Sequence, residues 1–263
     1  MANPVLLGSG IGMMAAGILP ILYWRRTRRV KLTPFVLGAA LWVAAILPKI
    51  VMDMAVGGPI NAWAGSTLGY LGTLIFISLL VGLRTGAFES GFTYLTFLKT
   101  RLRSATYDEA VGFGLAFGGT EALILGLGSF LNVLMFLLNP GLVEQIPVAQ
   151  REAVMAALDA PSVMVFAPII ERAFTILVHL FATILVYVAV VCHDSRFFWA
   201  SFLYRTGIDG MVPGFGVLLA GSSNPLLMTY LVELAIAAYG SLGLLGVRSL
   251  RKRIHGSWKN RTQ

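Results

Sequence analysis

Charged side chains are scarce in this chain. Asp, Glu, Lys and Arg make up 12% of its 263 residues, about half the share found in ordinary soluble domains. Hydrophobic residues make up 57%, and the mean hydropathy is +0.80. The single cysteine, Cys192, excludes an internal disulfide and a metal cluster held by several thiolates. This composition excludes a soluble globular domain and indicates an integral membrane protein.

Apolar stretches long enough to cross a bilayer recur along the chain, since one span needs about 20 residues. Seven stretches qualify, near residues 4–24, 33–52, 63–98, 109–138, 162–192, 197–220 and 226–247. The third is too long for one straight helix and contains several glycines, so we expect it to be kinked or broken. The predicted fold class is therefore all-α: a polytopic membrane helix bundle of about seven transmembrane helices, forming one integral domain over residues 1–263.

Basic residues indicate the orientation of this bundle. Lys and Arg outnumber Asp and Glu by 20 to 12, and they lie after the odd-numbered spans and in the C-terminal tail. Because cytoplasmic loops carry Lys and Arg, we predict the N-terminus outside and the C-terminus inside a cytoplasmic (plasma) membrane that the chain crosses several times. Residues 139–161 are then an outer loop with a short surface helix, and residues 248–263 are a basic cytoplasmic tail. We expect the bilayer, and no nucleic acid, as a partner of these cations.

Several ionisable residues lie inside the predicted spans, where each costs at least a few kcal/mol unless it faces a protein interior. The group comprises Glu89, Glu121, Glu171, Arg172, His179, Arg205 and Asp209. Lys49 and Arg84 lie near span ends, so we expect them to extend to the interface. Glu233 stands alone, and we expect it to make a structural hydrogen bond.

Helical spacing predicts which of these side chains meet. Arg172 and His179 are seven residues apart and share one face of a helix. Glu171 points roughly 100° away, so it is expected to meet a different helix. Arg205 and Asp209 are four residues apart, a spacing at which opposite charges on one helix can pair.

A metal site is one interpretation of these groups. Catalytic zinc takes about three protein ligands and a water. His179 is the only histidine within a predicted span. Glu121 lies among the glycines of GFGLAFGGTEALILGLG, which let helices approach closely, so we expect it between helices. A site of His179, Glu121 and another carboxylate competes with the interpretation that His179 simply packs in the core.

Five segments resemble, in order and spacing, the landmarks of the YhfC family of intramembrane metalloproteases, relatives of the CAAX-processing and bacteriocin-processing endopeptidases. They are GAALWVAAILPKIVMD, GAFESGFTYL, FGLAFGGTEALILG, IIERAFTILVHL and YRTGIDG. The resemblance implies zinc in an intramembrane cavity and water activated to cut a peptide bond. It assigns His179, Glu121 and Asp209 to the metal, and Glu89 and Glu121 to catalysis.

The chain departs from the family pattern at four positions. Ser90 and Thr93 stand where the family has Glu and Arg, and Phe117 and Arg205 stand where it has His. Phe cannot ligate a metal, and a permanently protonated Arg would repel a dication beside it. Arg205 would instead neutralise a carboxylate, that of Asp209, Glu89 or Glu121.

These departures favour a pseudoprotease: a degenerate relative that binds a peptide or membrane-protein partner in the intramembrane cavity. Glu171, Arg172 and Arg205 are then structural residues around that cavity. The alternatives are an active zinc-dependent intramembrane endopeptidase, a small transporter or ion relay, and a scaffold in which all these charges are structural.

Overall fold

The computed structural model describes the backbone of residues 3–259 and side chains as far as Arg251. This part of the chain is helical and contains no strand. Its α-helices are α1 Leu7–Arg28, α2 Leu32–Met52, α3 Gly58–Thr67, α4 Gly69–Thr85, α5 Gly91–Lys99, α6 Tyr107–Leu138, α7 Val148–Leu158, α8 Phe166–Cys192, α9 Ser195–Ala220 and α10 Pro225–Lys259. The predicted all-α bundle is confirmed. Residues 260–263 of the predicted basic tail lie outside the described residues.

Six stretches of the described chain are long and apolar enough to span a membrane. They are Pro4–Arg28, Leu32–Thr67, Gly69–Lys99, Tyr107–Leu138, Ser162–Cys192 and Pro225–Arg251. The chain is therefore an integral, multi-pass membrane protein in contact with lipid. The predicted span at 197–220 forms helix α9 but is not one of these six. A Cβ at Gly82 of α4 would collide with the backbone oxygen of Thr206, so α9 packs closely against α4.

The predicted third span, 63–98, has a different boundary in the structure. The helical path breaks at Leu68, because Gly69 has a φ of +65°, a conformation that glycine adopts without strain. Residues before this point belong to α3, which continues α2 through a π-helical segment, Asp53–Gly57. The expected break is therefore the one at Gly69, and a second π-helical segment, Gly86–Ser90, joins α4 to α5. Such segments often mark functional sites.

Glycines place α6 at the centre of the bundle. A Cβ at Gly17 of α1 would lie 2.6 Å from the backbone oxygen of Gly119, and one at Gly118 would lie 3.1 Å from the Cβ of His179. Small residues therefore bring the backbones of α1 and α8 close to α6. The helix begins at a capping box made by Thr106 and Glu109, which satisfies amide groups of its first turn.

Contacts at the helix ends define two ends of the bundle. The backbone N–H of Asn3 donates to Leu158 O at 2.7 Å, so the start of α1 lies beside the end of α7; we call this the α7 end. At the opposite end, Trp24 Nε1 donates to Asp108 O, and Tyr107 Oη donates to Val247 O. We call this the basic end, because it holds the Lys- and Arg-rich loops.

An aromatic core fills the bundle near the basic end. Phe97, Phe113 and Tyr187 are buried, and their ring centroids lie 5.1 Å (Phe97 to Phe113) and 5.9 Å (Phe97 to Tyr187) apart. Phe97 comes eight residues after Glu89, Phe113 comes eight before Glu121, and Tyr187 comes eight after His179. Eight residues extend about 12 Å along a helix. The ionisable residues therefore lie between this core and the α7 end.

Candidate functional site

Glu89 is the first centre of a buried polar cluster, which comprises Lys49, Glu89, Glu121, Arg172, His179 and Arg205. The π-helical segment carries Glu89, which is 3% exposed. Lys49 Nζ donates to Glu89 Oε1 at 2.7 Å, and an Nη of Arg205 donates to Oε2 at 3.2 Å. The prediction that Lys49 extends to the interface was therefore wrong. Its ammonium is held by a carboxylate on a neighbouring helix, which offsets its removal from water.

Glu121 is the second centre, and it lies between α2, α6 and α8. Trp42 Nε1 donates to Oε2 at 3.0 Å, and His179 Nε2 lies 2.8 Å from the same oxygen. Arg172 donates to Oε1. The predicted common face of Arg172 and His179 is confirmed, since both side chains reach the same carboxylate.

His179 joins the two centres. Its Nε2 contacts Glu121, while its Nδ1 lies 3.5 Å from Glu89 Oε2 and has no hydrogen-bond partner in the described part of the chain. The imidazole therefore stands between two carboxylates, one of which it contacts directly.

Arg205 and Phe117, at the two positions where the family pattern has histidine, contact each other. Arg205 is fully buried, and its Cζ lies 4.6 Å from the centroid of the Phe117 ring, a favourable cation–π geometry. The Phe117 ring lies 5.2 Å from the ring of His179. The guanidinium thus occupies the space beside the imidazole and Glu89, and the prediction that Arg205 neutralises a carboxylate is confirmed for Glu89.

Asp209 does not pair with Arg205, although their spacing allowed it. Its Oδ2 accepts a hydrogen bond of 2.6 Å from Thr85 Oγ1, while Arg205 turns to Glu89. Thr85 Oγ1 also lies 3.4 Å from Lys49 Nζ. Asp209 is therefore linked to the polar cluster through Thr85, whereas the other two predicted metal ligands contact each other.

The two remaining substituted positions make local hydrogen bonds. Ser90 Oγ lies 3.0 Å from Ser201 Oγ, which joins the π-helical segment to α9. Thr93 Oγ1 donates to Glu89 O at 2.6 Å. Both side chains are fully buried, so they serve helix packing around Glu89.

Glu171 and Glu233 lie nearer the α7 end. Glu171 forms an ion pair with Arg172 of its own helix, and it lies near Glu233 of α10, a different helix as the spacing predicted. The Glu171 side chain is 32% exposed. Glu233 is 7% exposed, and its Oε2 has no hydrogen-bond partner among the residues that the structure describes, contrary to the predicted structural hydrogen bond.

Arg84 and Asp53 form an ion pair between α4 and the π-helical segment after α2. The Asp53 side chain is 58% exposed. This pair lies at the edge of the bundle and outside the polar cluster.

Sequence reasoning missed two members of the site, Trp42 and Lys49. They are seven residues apart on α2, the same spacing that placed Arg172 and His179 on one face. That spacing was the available signal. Lys49 also lies near the end of a predicted span, and that position indicated the interface instead.

A cavity of about 500 Å³ lies between α3, α4 and α9. Its lining consists of Gly65, Gly69, Tyr70, Thr73, Leu74, Ile77, Pro213 and Val217. Pro213 is one helical turn from Asp209 towards the α7 end, so the cavity lies on the α7 side of Asp209, along the seam between α4 and α9.

These features define an integral membrane protein whose helices enclose carboxylates, one imidazole and three cations at mid-bundle. The chain belongs to the YhfC intramembrane metalloprotease family, whose family model matches residues 12–233. No curated protein and no solved structure gives a significant match.

The family description implies a metal, usually zinc, but the donor set of this chain does not fit one. Within the described residues, no three His, Cys, Asp or Glu side chains are grouped to hold a metal ion. Both oxygens of Glu89 and Oε1 of Glu121 already face Lys49, Arg172 or Arg205. A dication placed among them would be repelled by these three fixed cations.

Proposed function

We propose that this chain is a pseudoprotease, a family member without peptidase activity that binds a peptide or membrane-protein partner within the membrane. One observation carries the proposal. All four carboxylate oxygens of Glu89 and Glu121 lie within 3.5 Å of a side-chain donor of the chain itself.

This arrangement opposes peptide hydrolysis. A general base must lie within hydrogen-bond reach of the water that it activates. Glu89 and Glu121 would each have to break an ion pair in a dry environment first, and breaking a buried pair costs about 3–5 kcal/mol. The predicted catalytic roles of Glu89 and Glu121, and the predicted metal roles of His179, Glu121 and Asp209, are therefore replaced in our proposal by a structural role.

The cavity on the seam between α4 and α9 supports partner binding. Its volume of about 500 Å³ lies within the range of ligand sites, and it is lined mainly by apolar side chains and glycines. We propose that a hydrophobic segment of the partner enters here from the α7 end, which faces the outside of the plasma membrane. The basic end faces the cytoplasm, in agreement with the distribution of Lys and Arg.

The active endopeptidase is the second candidate, since the family is one of metalloproteases and His179 contacts Glu121. It requires the Arg205 guanidinium to leave the space beside Glu89. A transporter or ion relay is not part of our proposal. The buried rings of Phe97, Phe113 and Tyr187 lie between the polar cluster and the basic end, and a relay needs access from both sides.

Photo-crosslinking in native membranes tests the proposal. A benzophenone amino acid at Ile77, in the cavity, is expected to capture a discrete partner of unchanged length. The same group at Leu79 of α4, which is 54% exposed on the helix surface, is the control and is expected to capture lipid only. Capture of a shortened partner at Ile77, with cleavage abolished by Glu121→Gln, would establish the active protease instead.

A further inference from the structure

Carboxylates and cations are equal in number around Glu89, but carboxylates outnumber cations towards the α7 end. Around Glu89, two carboxylates, those of Glu89 and Asp209, lie near two cations, Lys49 and Arg205. Towards the α7 end, Arg172 is the one cation of the described residues that lies near three carboxylates: Glu121, Glu171 and Glu233.

The position of Glu233 on α10 is fixed by contacts on both sides of it. Tyr230 Oη donates to Val163 O at 2.6 Å. Further along, a Cβ at Gly240 would lie 2.6 Å from the backbone oxygen of Phe174. Since α8 and α10 run in the same direction, Glu233 lies beside the stretch of α8 that contains Glu171. The two carboxyl groups interact electrostatically.

Glu233 is more than nine-tenths buried, and its Oε2 accepts no hydrogen bond from any described residue. A buried carboxylate oxygen that no donor contacts directly is costly in a membrane protein. Glu171 is partly exposed beside it and shares its only cation with Glu121. The seam between α8 and α10 therefore combines a buried acceptor, Glu233, with an accessible one, Glu171. Among the described residues, it has no cation that neutralises both.

We infer that Glu171 and Glu233 form a binding site for an organic cation, an ammonium or guanidinium group. This inference goes beyond the proposed function, since the seam between α8 and α10 is separate from the cavity between α3, α4 and α9; a basic side chain of a membrane peptide would supply the cation. Glu171 and Glu233 lie about 8 Å and 12 Å along their helices from the α7 end. A Lys or Arg side chain can reach that depth from the interface, because its long stem is apolar.

The test compares two synthetic hydrophobic peptides that differ in one residue. Each is a Leu- and Ala-rich helix of about 20 residues, long enough to span the bilayer, with Lys or Met five residues from one end. Binding to the full chain is measured by fluorescence in phosphatidylcholine nanodiscs. The Lys peptide is expected to bind about tenfold more tightly, equivalent to one charge-assisted hydrogen bond.

Variants assign this preference to the site. Glu233→Gln and Glu171→Gln are each expected to reduce the preference to about twofold or less, whereas Glu152→Gln, on α7 at the same end, keeps it. Since Glu233 has no partner to lose, Glu233→Gln is expected to unfold at the same temperature as the wild type or higher. An unchanged preference in both folded variants would overturn the inference.

Dodecylammonium, with dodecanol as its uncharged control, separates this inference from the proposed function. If neither peptide binds but dodecylammonium raises the melting temperature of the wild type and not of Glu233→Gln, the cation site stands and the peptide partner is wrong. If both peptides bind equally and the amine has no effect, the cation site is wrong and the proposed function stands. If nothing binds, both are wrong. Loss of the Lys preference on adding phosphatidylethanolamine would support the site and assign the cation to a lipid headgroup.

Discussion

Replacing Arg205 by Met tests whether the chain's own cations hold the polar cluster together. Arg205 is fully buried, lies 3.2 Å from Glu89 Oε2 and stacks on Phe117. Breaking a buried pair costs about 3–5 kcal/mol, because the remaining charge loses its partner. Lys49 still contacts Glu89 after the change, so we expect the lower figure: the free energy of unfolding falls by about 3 kcal/mol.

The double variant measures the coupling directly. Glu89→Gln alone leaves Lys49 and Arg205 without their carboxylate, and we expect a similar loss of about 3 kcal/mol. In Glu89→Gln/Arg205→Met the loss should be smaller than the sum of the single losses by at least about 1.5 kcal/mol. The assay is reversible unfolding in bicelles, followed by tryptophan fluorescence.

Arg196→Met is the matched control. The Arg196 side chain is 91% exposed and its ion pair with Asp194 lies on the surface, where such pairs contribute little. We expect no measurable change. A stability of Arg205→Met equal to that of the control, or additive losses in the double variant, would refute the reasoning that the cluster is a coupled set of ion pairs.

Three further changes test the fold and the site. Phe117→His/Arg205→His places two more imidazoles beside His179 and removes one of the three repelling cations, so we expect about one bound zinc per chain by elemental mass spectrometry; no zinc in folded protein would show that the geometry around Glu89, or the remaining cations, prevent binding. Gly17→Val is expected to destabilise the bundle by about 2 kcal/mol or more. Gly128→Val should not, because a Cβ at Gly128 would meet no atom within 4 Å; equal effects would contradict the close packing of α1 on α6. Tyr239→Phe removes the hydrogen bond of 2.7 Å to Tyr204 O but keeps the one that Tyr204 Oη donates to Tyr239 O, and it should cost about 1 kcal/mol, measured by unfolding; no loss would mean that the hydrogen bond of Tyr239 does not help to hold α9 against α10.

The fold was predictable where it depends on the length of the apolar runs in the sequence. Long apolar runs gave the helices, and the glycines gave the close packing of α6. The boundary between α3 and α4 was not predictable from hydropathy, because the break at Gly69 lies within a continuous apolar stretch. The break depends on the positive φ of Gly69, and the sequence does not show which glycine adopts such a φ.

The site was predictable where both partners lie on one helix face, as with Arg172 and His179. It was not predictable where the partner lies on another helix. Lys49 looked like an interfacial residue because position along α2 gives depth and not the direction of the side chain. Arg205 had Asp209 within reach on its own helix, yet the structure pairs it with Glu89. Within-helix spacing carries no information on that competing partner.

The metal content of the purified, folded chain tests the central claim most directly. Detergent-purified protein, supplied with zinc and then freed of excess, is analysed by elemental mass spectrometry beside a His179→Ala variant. The account predicts no stoichiometric zinc in either protein, because Lys49, Arg172 and Arg205 occupy the carboxylates. About one zinc per wild-type chain, lost in the variant, would contradict it and would restore the active metalloprotease.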